Sequence, residues 1–435
     1  MLKTLSKGLI LGLCIASIGR VEAQTDSAKV AAPTTTVTTQ PTTSTSSPAP
    51  TTEKKKAWYD KIEFGGYVHM RYNRFLETNG QLKCEQCDRS IGDGGGVFFR
   101  RARLKFSGYI HDRVYIYIQG DVAQNASTGA VVQQNFYQLR DFYTDLYLNK
   151  SKTLRTRIGL SKVPFGFENM QSSQKRIAFD RGDALNSSIY NERDMGIFLY
   201  YTPTKVKERF KYIDDNNLRH SGDYGMIGFG FYNGQTMNRQ ELNNNPHTVG
   251  RITYPFALGD KQILELGVQG YFGWFNVGEA MTPVTVTTTG NKHGKDFWDQ
   301  RVAASMILYP QPFGIQAEYM YGYGPVFKYD GGTSYRIIEG VNEGGYVQLT
   351  YLKKVKSMTF IPYVKGQYFY GGKKVERDAR RTIVKEVEFG VEWQVVKALE
   401  LTFAYTMSDR TFEDSGKPVN HQVGNFARIQ VQINY

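Results

Sequence analysis

Residues 427–435 read ARIQVQINY and carry the clearest fold signal in the chain. In an extended strand, successive side chains point to opposite faces. One face then holds Ala427, Ile429, Val431, Ile433 and Tyr435, and the other holds Arg428, Gln430, Gln432 and Asn434. An apolar row that alternates with a polar row is typical of a barrel strand between lipid and a water-filled lumen. A terminal aromatic residue after such a strand resembles the signal that outer-membrane assembly machinery reads.

The links between the strand-like segments alternate between short and long. Short links fall at residues 111–112, 150–152, 258–260, 310–311 and 395–397, and long polar links fall at 76–96, 278–295 and 325–342. Outer-membrane barrels have short periplasmic turns and long outer loops. We therefore predict an all-β fold for residues 58–435: a transmembrane, antiparallel, up-and-down β-barrel.

The alternation of short and long links predicts about sixteen strands. An even number agrees with both termini in the periplasm. They fall at residues 62–75, 97–111, 113–124, 138–149, 153–162, 193–203, 222–234, 247–258, 261–277, 297–309, 312–324, 343–354, 357–371, 382–397, 398–410 and 423–435. The link 204–221 should be a short turn, but it is long and highly charged. Either it is an unusual turn or a strand is missed or split there, so about fourteen or eighteen strands stay open.

The N-terminal part of the chain has a different composition. Residues 1–23 have a basic start, a short apolar run and a small-x-small end, which predicts a signal peptide. Residues 24–57 are rich in Thr, Pro and Ser, with almost no large apolar side chains. Such a segment cannot bury enough surface to offset the entropy of ordering, so we predict a disordered extension before the barrel.

The overall composition fits a barrel better than a soluble alternative. Mean hydropathy is −0.45, yet 14% of the residues are aromatic. Only alternate residues of a barrel strand meet lipid, and aromatic girdles line both interfaces. The alternative is a large secreted β-sandwich or β-propeller. The formal net charge of +13 favours anionic partners, namely phosphate-bearing solutes or lipopolysaccharide, and nucleic acid is not expected for an exported barrel.

Cys84 and Cys87 form a C-x-x-C motif in the first long loop. In an oxidising compartment this spacing favours a local disulfide. A metal site would need two more ligands nearby, and a thioredoxin-like motif would need a βαβ context. Neither is found in the sequence, so we predict no metal and no cofactor.

The second strand carries a row of positive charges. Arg101, Arg103 and Lys105 fall on one face, and apolar residues fall on the other. Side chains two positions apart on a strand lie roughly 6.5–7 Å from one another. An anion that passes such a row can exchange water for successive charge-assisted hydrogen bonds. Arg155 and Arg157 repeat the pattern on the fifth strand, so all five are candidate pore-lining residues.

The alternative is a lumen in which basic and acidic walls balance. Strand 138–149 places two carboxylates on one face, and strand 382–397 places three. These residues are Asp141, Asp145, Glu386, Glu388 and Glu392. A balanced wall of this kind would make a general porin without strong preference for anions.

The long connection 163–192 is the second candidate site. It carries Lys175, Arg176 and Arg181. In wide barrels, a loop after the fifth strand folds inward and narrows the pore, which would place these side chains at the constriction. The alternative is a surface loop that faces solvent or a neighbouring subunit.

Four stretches of the chain resemble one known family. Residues 98–104 (FFRRARL), 138–146 (QLRDFYTDL), 159–168 (GLSKVPFGFE) and 193–197 (RDMGI) resemble, in order and spacing, the corresponding stretches of the phosphate-selective porins O and P. The resemblance implies a trimeric outer-membrane channel of sixteen strands with a basic lumen. Some members of that family bind phosphate or pyrophosphate.

The resemblance also implies roles for individual residues. Arg101, Arg103 and Lys105 match the basic second strand of the family. Lys162 and the connection 163–192 match the segment that lines its constriction. Lys365 and Lys328 are candidates for the family's central lysines, although Lys328 falls in a predicted loop.

Together these observations predict a passive channel in the outer membrane of a Gram-negative bacterium, with a preference for anions, phosphate and pyrophosphate among them. A non-selective general porin and an adhesin or structural barrel are the alternatives. An enzyme is not expected, because none of the six His stands in a recognisable Ser/His/Asx pattern.

Overall fold

The computed structural model describes residues 58–82, 96–124, 135–259, 261–277, 291–331, 334–374, 381–414 and 417–435. The predicted signal peptide (1–23), the predicted extension (24–57) and the motif of Cys84 and Cys87 lie outside these residues. All three stay predictions.

The described residues form one antiparallel sheet. Its strands are β1 (Ile62–Phe75), β2 (Val97–His111), β3 (Val114–Gln124), β4 (Asn135–Tyr147), β5 (Leu154–Lys162), β6 (Arg193–Tyr201), β7 (Ile227–Tyr232), β8 (His247–Leu258), β9 (Gln262–Asn276), β10 (Asp296–Leu308), β11 (Phe313–Gly331), β12 (Ser334–Tyr351), β13 (Lys353–Val355), β14 (Met358–Gly372), β15 (Arg381–Val396), β16 (Leu399–Asp414) and β17 (Lys417–Asn434). Each pairs with its neighbours in the chain except that β12 and β13 both pair with β14, and β1 also pairs with β17. The sheet is therefore a closed barrel.

The barrel has sixteen strands, as the alternation of short and long links predicts. β12 and β13 both pair with β14, so these two segments are one barrel strand interrupted at Leu352. Seventeen segments thus make sixteen strands.

The alternation predicted for the terminal strand is present in β17. Ile429, Ile433 and Tyr435 are 40–50% exposed on the outside, whereas Arg428 and Gln432 are at most 3% exposed on the inside. Exposed apolar side chains on the outer row require a hydrocarbon environment, and the polar inner row requires water or partners. The physical pattern is that of a membrane barrel.

The charged link 204–221 is an unusual turn and not a hidden strand. It contains a helix, α3 (Thr204–Asp215), that buries Val206, Phe210 and Ile213. Their spacing of four and three residues places them on one helical face. Among the described residues, no helix is both long and apolar enough to span a membrane.

One predicted loop is wrong. Residues 325–331 and 334–342 belong to a tall hairpin and not to a long polar loop, because β11 and β12 continue through them. Val326 and Ile337 are both buried in this hairpin. Ile337 packs there with Phe275 and Phe297, and this packing favours an extended hairpin over a loop.

The connection 163–192, named here the inner segment, contains the short helices α1 (Phe167–Met170) and α2 (Asp183–Ser188). Phe165, Leu185 and Ile189 are buried in a cluster with Tyr271, Met320, Tyr346 and Phe369, which belong to the inward rows of β9, β11, β12 and β14. The inner segment therefore packs against the inside wall, and not on the outer surface.

Candidate pore site

The inner segment begins at a turn that depends on glycine. Gly166 has a φ of 81°, in the left-handed region that other residues rarely adopt. An added Cβ there would lie 3.2 Å from Leu185 Cδ1. The turn aims α1 into the lumen, so the PFGFE sequence at 164–168 has a local structural reason.

The barrel wall holds the first two residues of α1 by hydrogen bonds to their backbone. Glu318 on β11 accepts hydrogen bonds from the backbone N–H of Phe167 at 2.6 Å and of Glu168 at 2.9 Å. The Glu168 carboxylate then pairs with Lys365 Nζ of β14 at 2.5 Å. Lys365, a candidate central lysine, is therefore engaged in holding the inner segment. Lys328 lies on β11 and is exposed.

A neighbouring part of the wall, formed by β1 and β17, holds the middle of the inner segment. Arg71 on β1 and Arg428 on β17 both pair with Asp180. Their guanidinium groups lie 4.6 Å and 4.8 Å from the centre of the Phe179 ring. Burial raises the pKa of Asp180, but the guanidinium groups of Arg428 and Arg71 outweigh burial and hold that pKa well below its usual value.

The basic row on β2 divides into paired and unpaired charges. Arg103 Nε donates to Asp121 of β3 at 2.9 Å. Arg101 is 4% exposed, and its Nε and Nη1 atoms have no hydrogen-bond partner among the described residues. Lys105 is half-buried and forms no ion pair within the described part of the chain.

The basic pair on β5 is neutralised. Arg157 donates to both oxygens of Asp145 on β4, at 2.7 Å and 2.9 Å. Arg155 lies 3.3 Å from Asp145 and 3.1 Å from Asp223. The two arginines thus face two carboxylates, as the balanced-wall alternative requires.

The predicted basic residues of the inner segment have different surroundings. Arg181 pairs with Glu192 at 2.7 Å, and Lys175 pairs with Asp214 of α3 at 2.5 Å. Arg176 donates only to the backbone carbonyls of Ala178 and Phe179, and its Nη1 lacks a partner among the described residues. Burial raises the pKa of Glu192, but Arg181 and Arg193 outweigh it and keep the pKa well below its usual value.

Lys162 binds backbone carbonyls of the inner segment. Its Nζ donates to the carbonyl oxygens of Met170 at 2.7 Å and Gln171 at 2.9 Å. It forms no ion pair within the described ranges. Lys162 therefore caps the last carbonyls of α1 with a buried positive charge.

The predicted acidic rows are mostly occupied. Asp141 accepts from Arg193 at 2.9 Å, and Glu386 accepts from Arg410 at 2.8 Å. Glu388 pairs with Arg428, and Glu392 pairs with Arg219. These carboxylates pair with other arginines, and Arg101 and Arg176 are left without an ion pair among the described residues.

Arg101 and Arg176 lie close enough for their charges to repel each other, with Arg103 and Arg100 nearby. We name Arg101, Lys105 and Arg176 the unpaired basic residues. They lie on β2 and on the part of the inner segment that faces it. Over the described residues, no group of His, Cys, Asp and Glu side chains could hold a metal ion.

Sequence reasoning missed Arg71, Glu168, Asp180 and Glu318. Arg71 and Glu318 lie on the inward rows of β1 and β11. The alternation of inward and outward side chains along a strand, called parity below, could therefore have placed them in the lumen. Their partners Glu168 and Asp180 depend on the path of the inner segment, which parity does not give.

Comparison with solved structures shows the same architecture at low identity. The outer-membrane channel DcaP of Acinetobacter baumannii matches with a TM-score of 0.51 and 14% identity, over 86% of this chain and 97% of that chain. Salmonella typhi OmpF, in a complex with daunomycin, matches with a TM-score of 0.52 and 12% identity, over the same shares of the two chains. At these identities the likeness shows the fold alone.

No curated protein matches this chain. The family profile described as phosphate-selective porin O and P matches residues 78–435, which is most of the chain. The fold and the family are those of a channel in the outer membrane of Gram-negative bacteria. The chain belongs to the family of phosphate-selective porins O and P.

Proposed function

We propose that this porin is a passive diffusion channel that prefers anions, phosphate and pyrophosphate among them. The observation that carries the proposal is the division of charge in the lumen. Arg103, Arg155, Arg157 and Arg181 each have a carboxylate partner, whereas Arg101 and Arg176 have none within the described residues. The excess charge on this part of the wall is positive.

An unpaired buried guanidinium is unfavourable, because its lost hydration is not replaced by a counter-charge. A permeating anion supplies that counter-charge and accepts hydrogen bonds from the N–H groups of Arg101 and Arg176. Charge-assisted hydrogen bonds of this type are about twice as strong as neutral ones. The two groups belong to different elements, so an anion is held between a wall and the inner segment.

The inner segment narrows the channel in this proposal. It is fastened to β11 and β14 by Glu318 and Lys365, and to β17 and β1 by Arg428 and Arg71. Solutes then pass through the space that the inner segment leaves free, and Arg176 and Arg181 belong to its lining.

We further infer a homotrimer in contact with lipopolysaccharide. The family resemblance supports the trimer, and the basic net charge of +13 supports contact with an anionic lipid surface. Cross-linking of the detergent-solubilised protein tests the assembly, and a monomer at all concentrations would contradict it.

A non-selective general porin is the second candidate, and the paired charges at Arg155 and Arg157 favour it. Phosphate block separates the two. Chloride current through single channels is recorded in planar bilayers while phosphate is added, for the wild type, for Arg101→Gln and for Arg113→Gln. Arg113 is an exposed turn residue and controls for the charge change.

We expect phosphate to reduce chloride current in the wild type and in Arg113→Gln, and to do so at higher concentrations in Arg101→Gln. Equal block of all three proteins would remove Arg101 from the site. No block of the wild type would favour the general porin.

A further inference from the structure

The β6–β7 connection is longer than its hairpin requires. Tyr201 and Ile227 are already direct partners at the ends of the two strands. At the same end of the barrel, His111 and Val114 pair across a link of only two residues. Residues 202–226 are therefore not needed to join β6 to β7, and their packing shows what else they do.

The first half of the connection lies against the turns at this end. Arg209 donates to the carbonyl of Pro255 at 2.6 Å, at the end of β8, and Tyr212 Oη donates to Gln311 at 3.0 Å, between β10 and β11. The apolar face of α3 packs with Ile263, Ile307 and Tyr309, and also with Phe167 of the inner segment. Short turns identify this end as periplasmic.

The second half of the connection crosses the mouth of the barrel. Arg219 pairs with Glu392 of β15 and lies 3.5 Å from Glu400 of β16. A few residues later, Asp223 pairs with Arg155 of β5 at 3.1 Å. β5 and β15 lie far apart in the order of the sheet, so the chain spans the opening between two distant parts of the wall.

Arg219 is held in a conformation that needs support. Its φ of 66° lies in the left-handed region, which is unusual for a residue with a side chain. Such a backbone persists where the surroundings over-determine it. The two carboxylates on β15 and β16 provide that support, and so does the hydrogen bond from Gln171 Nε2 of the inner segment to the Arg219 carbonyl at 2.6 Å.

Three consecutive side chains of the connection are buried. Leu218, Arg219 and His220 are at most 4% exposed, and His220 lies over the Phe210 ring at 4.7 Å. The inward tyrosines on β2, β3 and β4 are half-buried instead, namely Tyr109, Tyr115, Tyr117, Tyr143 and Tyr147. The wall formed by β2–β4 is therefore more open than the part that Leu218, Arg219 and His220 cover.

We propose that residues 202–226 form a second, periplasmic constriction in series with the inner segment. Solutes leave the barrel along β2–β4, and Arg219 is the residue that fastens the constriction and so sets the size limit of the channel. This inference goes beyond the anion preference, because it concerns size and the exit route.

Single-channel conductance and liposome swelling with sugars of increasing size test the proposal. Arg219→Gln releases the ion pairs to Glu392 and Glu400. Lys211→Gln is the matched control, because it breaks an exposed ion pair to Asp215 in the same connection. We expect higher conductance and a size limit shifted to larger sugars for Arg219→Gln, and wild-type values for Lys211→Gln.

A second variant keeps the test independent of how Arg219→Gln folds. Residues 203–225 are replaced by a short Gly-Asn turn, which the direct pairing of Tyr201 with Ile227 permits. Folding of each variant is checked by the mobility of unheated samples on gels. We expect the shortened variant to conduct more than the wild type and to admit larger sugars.

Two results are distinguishable. A folded, shortened variant with wild-type conductance and size limit would overturn the constriction, while the wild type still conducts as a porin. A wild type that does not conduct would instead contradict the channel function.

Discussion

Lys365 Nζ lies 2.5 Å from Glu168 Oε1 across the inside of the barrel, and both side chains are at most 5% exposed. This pair joins β14 to the first turn of α1. A lysine that sequence reasoning reserves for solute thus serves to anchor the inner segment. The residues that we propose for solute are instead Arg101, Lys105 and Arg176, which form no ion pair among the described residues.

Removal of Lys365 should cost stability and widen the channel. Among the described residues, Lys365→Met leaves the buried Glu168 carboxylate with the Gly182 N–H at 2.7 Å as its one hydrogen-bond partner. Breaking one side of a buried ion pair costs about 3–5 kcal/mol, whereas an exposed pair is worth about 0–1 kcal/mol. Urea unfolding in detergent should therefore show a large loss for Lys365→Met and almost none for Lys211→Met. Similar losses for the two variants would refute the anchoring role.

Substitutions at Arg101 and Arg103 should affect different properties, ion selectivity for Arg101 and stability for Arg103. Arg103→Gln removes the closest ion pair of the buried Asp121 carboxylate and leaves it with Arg140 at 3.5 Å, so we expect a clear loss of thermal stability. Arg101→Gln removes a charge without a partner, so we expect little loss of stability and a weaker preference for anions. Thermal unfolding and reversal potentials measure both properties. The opposite pattern would show that the assignment of paired and unpaired charges is wrong.

The Asp223–Arg155 pair should resist acid. Burial raises the pKa of Asp223, but Arg155 and hydrogen bonds from Gly225 and Thr202 outweigh it and lower the pKa to about 2. A depressed pKa in the folded state stabilises the protein above the ordinary aspartate pKa, and this stability is lost as pH falls toward about 2. The stability difference between wild type and Asp223→Asn should be constant from pH 7 to about pH 4 and shrink below that. A difference that disappears near pH 5 would contradict the pairing.

The predicted disulfide has a direct test. If Cys84 and Cys87 are joined, the purified porin should take up no thiol reagent at these residues until it is reduced. Peptide mass mapping after alkylation, with and without reductant, reads the result. Full alkylation of both residues without reductant would show free thiols.

The closed barrel could be predicted from sequence because lipid outside and water inside require apolar and polar residues to alternate strictly along each strand. The terminal strand shows this most clearly, with Ile429 and Ile433 outward and Arg428 inward. The same parity places Arg101, Arg103, Arg155 and Arg157 in the lumen. It cannot show which of them meets a carboxylate, since Asp121, Asp145 and Asp223 come from other strands and links.

Three features go beyond what this alternation predicts. The spacing of Val206, Phe210 and Ile213 is helical and could have identified α3 within the charged link 204–221. The path of the inner segment could not be read, because Glu168 and Lys365 are far apart in sequence and meet only when the barrel closes. The tall β11–β12 hairpin was missed because its many polar residues suggested a loop.

The reversal potential of the purified, refolded protein in a planar bilayer under a KCl gradient at neutral pH tests the central claim most directly. The unpaired positive charge of Arg101, Lys105 and Arg176 predicts a potential of the sign that chloride permeation produces. A potential of the opposite sign, from a channel that favours potassium, would contradict it.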